Sequence, residues 1–203
     1  MGAGGTRGAN IKFRPLLEKH HPGRKLFQEV HHLREARGVK VSKGTMVDAT
    51  LIHAPSSTKN QDKERDPDMH QTRKGNQLYF GMKAHIGVDS KTKVIHTVVA
   101  TAANVHNATI LPDLLHGEET RLWGDSAYQG QTDVLRPHAP KAQDLTNRRY
   151  RYKGVVNEAE RARNRIKSQI RSRVEHAFGV IKGMFHFTKV RYRVSRRTPI
   201  GCL

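Results

Sequence analysis

From Leu78 to Asp89 apolar and polar residues alternate, with Phe80, Met82, Ala84, Ile86 and Val88 on one side and Tyr79, Lys83 and His85 on the other. Period two is the signature of a strand. A turn over Asp89-Ser-Lys-Thr-Lys93 leads into Val94-Ile-His-Thr-Val-Val-Ala-Thr101, almost continuously apolar or β-branched. The pair predicts a hairpin with a buried second arm, and His96 within it reads as a packed core residue. Upstream, Thr45-Met-Val-Asp48-Ala-Thr-Leu-Ile52 is short, β-branched and closed by Ala54-Pro55, a strand with an acid at its centre. A further strand is expected in Arg121-Leu-Trp-Gly-Asp125, which Gly124-Asp-Ser-Ala-Tyr-Gln-Gly130 turns abruptly into a turn or helix.

Helical spacing governs the rest. Phe13, Leu16, Leu17, Leu26, Phe27, Val30 and Leu33 fit two short helices over Ile11 to Arg37, broken at Pro22-Gly23. A short helix is expected from Asn107 to His116, with Asn107 as N-cap. From Glu158 to Lys182 runs a long amphipathic helix with the apolar stripe Ile166, Ile170, Val174, Ala177, Phe178 and Ile181. The polar, aperiodic segment from His53 to Gly75 predicts a loop, taken as an insertion over 53–77. The first ten residues hold four glycines and little to bury, which predicts a disordered leader. There is no internal repeat.

Charge narrows the partners. Among 203 residues, 37 Lys and Arg face 18 Asp and Glu, a net charge of +19, and such an excess favours a polyanion, with nucleic acid foremost. Between Leu145 and Ile200 there are 16 Lys and Arg against three Glu, which marks the late helix and the stretch Asn147-Arg-Arg-Tyr-Arg-Tyr-Lys-Gly154 as a phosphate-tracking surface. The single Cys202 excludes an internal disulfide and suits a reducing compartment. No apolar run reaches the roughly 20 residues of a membrane span. Thirteen histidines lack the cysteine partners or the HExxH spacing of a zinc site.

Three acids stand out as a set. On a helical wheel Arg171, Glu175 and Lys182 fall at about 0°, 40° and 20°, so they share a face at the edge of the apolar stripe. Asp48 lies in mid-strand, and Asp125 lies at a strand's C-terminal end, a common place for catalytic groups in α/β sheets. Each also has a structural reading: an Arg/Glu pair on a solvated helix, an acid on an exposed strand face, an aspartate capping a helix. The order strand, hairpin, helix, strand, helix suits an α/β fold, a ribonuclease H-like mixed sheet of about five strands with flanking helices. In that arrangement the three acids meet at one edge. Clustered carboxylates repel unless divalent cations neutralise them. Two Mg²⁺ ions about 4 Å apart, with Mn²⁺ as a substitute, would serve phosphodiester cleavage. Arg171, Lys182, Arg173 and Lys83 are the candidate phosphate-binding cations.

Several segments carry a resemblance: Phe13-Arg-Pro-Leu-Leu-Glu-Lys-His20, Gly44-Thr-Met-Val-Asp48-Ala-Thr-Leu-Ile52, Ala54-Pro-Ser-Ser-Thr-Lys-Asn60, Thr101-Ala-Ala-Asn-Val-His106, Gly124-Asp-Ser-Ala-Tyr-Gln-Gly130 and Arg171 through Lys182. From Phe13 to Arg193 the chain resembles bacterial insertion-sequence transposases of the IS5/IS4 type. The resemblance implies that Asp48, Asp125 and Glu175 are the DDE metal-binding triad and that Arg171 and Lys182 belong to a Tyr-Arg-Glu-Lys signature. Its first position is Ser168 here, not tyrosine. It further implies metal-dependent cleavage at transposon ends, transfer of the freed 3′-hydroxyl to target DNA, a homodimer, and a bacterial cytoplasmic, nucleoid-associated location. The expected organisation is a leader over 1–10, a helical lead-in over 11–43, the catalytic domain over 44–193 and a divergent tail over 194–203. Compared with the family, the chain reads as truncated at both ends. The alternative is a non-catalytic, basic DNA-binding fragment.

Overall fold

A computed structural model of the protein describes residues 22–59 and 64–190. The expected leader, the first short helix before Pro22 and the tail lie outside those residues. The chain divides into two compact units, one of residues 1–40 with 195–203 and the other of residues 41–194. Within the first, helix α1 spans Pro22–Ala36. It ends where Gly38 adopts φ 79° and its N–H bonds to the Glu35 carbonyl, while the Val39 N–H bonds to that of Arg34. A left-handed residue of this kind costs glycine nothing and closes the last turn.

The second unit is built on a mixed sheet. Strand β1 (Gly44–His53) lies between β3 (Gln77–Asp89), antiparallel to it, and the short parallel β5 (Arg121–Trp123). β6 (Gln143–Asp144) adds in parallel beyond β5, and β4 (Ile95–Ala102) pairs antiparallel with β3. These five strands run β4-β3-β1-β5-β6, the expected ribonuclease H-like arrangement.

Three expectations need correction. The segment read as a loop over 53–75 contains strand β2 (His70–Lys74), which pairs with Gln77 to Gly81 across a two-residue turn. Its polar residues alternate without any apolar face, so the strand left no hydrophobic signal. β4 is partly exposed along its whole length instead of buried. The expected helix from Asn107 to His116 is a 3₁₀ turn (Asn107–Ile110) followed by a single α turn, α2 (Leu111–Leu114). Its cap is His106, whose Nδ1 accepts from the Ala108 N–H, and not Asn107.

Successive strand residues point to opposite faces, and both faces are covered. Val47 and Leu122 pack with Leu111, Leu114, Tyr128 and Leu135, the last from α3 (Thr132–His138). Met46, Ile86, Val88 and Trp123 pack on the other side against Val174, with Ile170, Ala177 and Phe178 around it. The latter residues belong to α4 (Glu158–Gly179), capped by Asn157, whose side chain accepts from the Glu160 N–H. Ile166 lies outside that contact and is exposed, so the apolar stripe is buried only at its centre. The expected end of the helix at Lys182 is replaced by a π turn over Val180–Met184. A small hairpin of β7 (Arg151–Tyr152) and β8 (Val155–Val156) precedes α4.

Candidate active site

Burial on both faces explains why β1 is so apolar, and the two-residue period places Asp48 on the Met46 side, toward α4. There the Arg171 Nη1 donates to Asp48 Oδ2 at 3.1 Å, across 123 positions of sequence. The other Asp48 oxygen accepts the Ala49 N–H at 2.8 Å. Both partners are well covered, the side chains being 15% and 20% exposed. Arg171 Nη2 also reaches Glu175 Oε1 at 3.5 Å, one helical turn on, where the glutamate is 63% exposed. One guanidinium thus bridges two acids.

Asp125 arrives by parallel pairing, since β5 runs beside β1 with Met46 opposite Trp123. Its Oδ1 accepts the Ala127 N–H at 2.9 Å and caps the 3₁₀ turn Ser126–Tyr128. The capping and the functional readings of this residue are therefore compatible. Gly124 just before it sits in a tight space, since a Cβ there would stand 3.1 Å from side-chain atoms of both Tyr128 and Val47.

Asp48, Asp125, Glu175, Arg171, Lys182 and Lys83 all line one cleft of about 730 Å³. Lys182, on the π turn, donates to the Leu51 carbonyl at 3.0 Å. Lys83 donates to the Val105 carbonyl at 2.6 Å and to Asn107 Oδ1 at 3.1 Å. Arg173 is not among the residues lining the cleft; its Nη1 donates to the Ser90 carbonyl. Hairpin β2–β3 contributes Thr72, Arg73, Lys74 and Tyr79 to the rim, none of which the sequence marked for a role.

The electrostatics follow from this packing. Burial raises the Asp48 carboxyl to about 6; the Ala49 N–H and Arg171 pull it down, and the Asp125 and Glu175 charges push it up. Burial lowers Lys83, partly countered by Asp125, and lowers Lys182, to which Lys74 adds repulsion. Tyr128 is fully buried, and its hydroxyl has no partner among the described residues. Burial and the charges of Asp48 and Asp125 push that phenol far up. Its one signal in the sequence is its place three residues beyond Asp125 in Gly124-Asp-Ser-Ala-Tyr-Gln-Gly130.

Asp125 also borders a second groove of about 450 Å³, lined by Arg148, Arg149, Arg151, Arg161 and Arg165 together with Tyr150. Three hydrogen bonds join residues that line it. The Asn164 side chain accepts from the Arg148 N–H and donates to the Arg148 carbonyl, and Asn147 Nδ2 donates to Ser168 Oγ at 2.9 Å. Ser168 occupies the position where the resemblance expects tyrosine.

Carboxylate oxygens facing a cleft are the right donors for a hard divalent cation, and a buried Asp48 requires a positive neighbour. The present spacing is different: among the described residues no three His, Cys, Asp or Glu side chains stand close enough to hold a metal ion. Arg171 supplies the positive charge instead.

Among the described residues no helix is long and apolar enough to cross a membrane. No solved structure matches the chain. Residues 40–198 match the family model described as the transposase DDE domain, a span that holds all three acids, both cavities and the whole sheet. By that match, over more than half of its length, the chain belongs to the transposase DDE domain family.

Proposed function

We propose that the protein cleaves DNA strands at the ends of an insertion sequence of the IS5/IS4 type and joins them to target DNA. The convergence of Asp48, Asp125 and Glu175 with Arg171, Lys182 and Lys83 on one cleft carries this reading. Water attacks a phosphodiester and the 3′-oxygen leaves with a proton; the freed 3′-hydroxyl then loses its proton as it attacks a target phosphodiester, whose own 3′-oxygen leaves and takes up a proton. Arg171 and Lys182 hold the phosphate oxygens, the former through its planar fork. Lys83 adds a third cation to the same cleft.

Asp48, Asp125 and Glu175 would hold two Mg²⁺ ions, or Mn²⁺, which when bound supply charge neutralisation and a more nucleophilic oxygen. The arginine groove beside Asp125 extends the phosphate-binding surface past the cleft. Two DNA ends joined to one target suit a homodimer, and a nucleoid-associated place in a bacterial cytoplasm goes with such a substrate.

Nicking of supercoiled plasmid tests the reading. The protein should nick with Mg²⁺ or Mn²⁺ and not with EDTA, and Asp48→Asn, Asp125→Asn and Glu175→Gln should each lower the rate by at least about 100-fold. Undiminished nicking by Asp48→Asn would overturn the assignment. Metal-independent, salt-sensitive binding with no nicking by any form would leave the non-catalytic binder.

A further inference from the structure

Arg171 occupies an unexpected place for a phosphate clamp, because its guanidinium is already committed to carboxylates. It lies 3.1 Å from Asp48 Oδ2 and 3.5 Å from Glu175 Oε1, with its own side chain only 20% exposed. Both Asp48 oxygens are thereby engaged, one by the Ala49 N–H and one by Arg171. Arg171 Nε is buried and has no partner among the described residues, so the side chain is held by its terminal nitrogens.

A hard divalent cation needs those same carboxylate oxygens. It cannot take them at full strength while a guanidinium stands between Asp48 and Glu175, since two cations would then compete for one pair of acids. Relief needs another anion for Arg171. The rest of the cleft offers no spare one: Arg73, Lys74, Lys83 and Lys182 are all cations, and the third acid, Asp125, is itself a carboxylate that the metal ions need. A DNA phosphate entering the cleft supplies that anion, and its geometry matches the arginine fork.

We propose that Arg171 is the resident counter-ion of the acidic wall in the free protein, and that DNA and divalent-cation binding are coupled by its transfer from carboxylates to phosphate. The proposal rests on the reading of this cleft as a metal-dependent DNA site. Coupling of this kind is reciprocal: DNA raises metal affinity by the same factor by which metal raises DNA affinity. The free protein therefore holds metal weakly, which keeps the acidic wall metal-poor until a strand is in place.

The test is Mn²⁺ binding to the full chain, read by electron paramagnetic resonance of the free ion. It is run with and without a short duplex, after subtracting ions held by the duplex alone. Without DNA, Arg171→Gln should bind Mn²⁺ about fivefold or more tightly than the unaltered protein. Adding the duplex should tighten Mn²⁺ binding to the unaltered protein by a similar factor and leave Arg171→Gln nearly unchanged. Equal or weaker binding by Arg171→Gln without DNA overturns the proposal, as does an unchanged affinity of the unaltered protein on adding duplex. Should Arg171→Gln fail to fold, Arg171→Lys decides in the same way, because one ammonium cannot span both acids: tighter Mn²⁺ binding supports the proposal, and equal or weaker binding refutes it. Asp48→Asn separates the two claims. If it binds Mn²⁺ as the unaltered protein does, the metal-site reading itself fails, whatever Arg171 does.

Discussion

Replacing Asp48 by Asn should stabilise the protein above pH 6 in the absence of metal. The carboxyl binds its proton more tightly in the folded chain, with its value raised from 3.8 to about 6 mainly by burial. Below pH 4 both folded and unfolded chains hold the proton, and Asp48 then costs the fold little. As pH rises the unfolded chain releases it first, so stability falls through the window from about 4 to 6 and stays lower above it. Two pH units at about 1.4 kcal/mol each give about 3 kcal/mol at pH 7.5. The Arg171 attraction is already contained in the shift, and the substitution leaves Arg171 its contact with Glu175. For a chain of this size 1 kcal/mol moves Tm by about 2 to 4 °C. Scanning calorimetry in EDTA should show the Asn variant melting several degrees higher than the unaltered protein at pH 7.5, with the gap shrinking to a small fraction near pH 4. Comparing the gap at two pH values removes any constant effect of the amide. A gap that stays flat or narrows as pH rises would refute the argument from burial.

Further predictions concern the framework. Val174→Ala leaves a void against Met46, Ile86, Val88 and Trp123 and should lower stability by about 2 kcal/mol in urea unfolding; a loss near zero would mean that α4 is not seated there. Gly81 sits at φ 154° with the Ile52 carbonyl 2.1 Å from an added Cβ, so Gly81→Ala should destabilise by about 3 kcal/mol or more by the same assay. The triple change Arg148→Ala, Arg149→Ala, Arg165→Ala should lower the slope of log affinity against log salt for duplex DNA by about 2 to 3. An unchanged slope would remove the groove from the binding surface.

The sheet was legible where burial leaves a period in the sequence. β1 and β3 were read to within a residue or two because their registers alternate into two cores, and Asp48 stood out as an acid in the middle of a strand, where Asp is disfavoured. β2 was not legible, since a strand of His, Gln, Thr, Arg and Lys has no apolar side to alternate. The helix wheel brought Arg171, Glu175 and Lys182 together, and all three line the cleft, although a π turn carries the lysine. A wheel shows which side chains share a face, and it says nothing of which atoms they bind. The Arg171 contact with Asp48 depends on a strand 123 positions away, and only the folded register reveals it.

One small contact has a wide mechanical consequence. The chain leaving the π turn returns to β1, where the His53 N–H bonds to the Thr188 carbonyl and the Val190 N–H to that of His53. Strand and helix exit are thus tied by hydrogen bonds into a closed stretch of chain that holds Asp125 and Glu175, with Asp48 five residues before it on the same strand. Tension applied at residue 190 would load the end of β1 directly and in shear, before any turn of α4 could unwind. The amides of His53 and Val190 should accordingly exchange with solvent as one opening unit, making this bridge the fuse of the framework around the cleft.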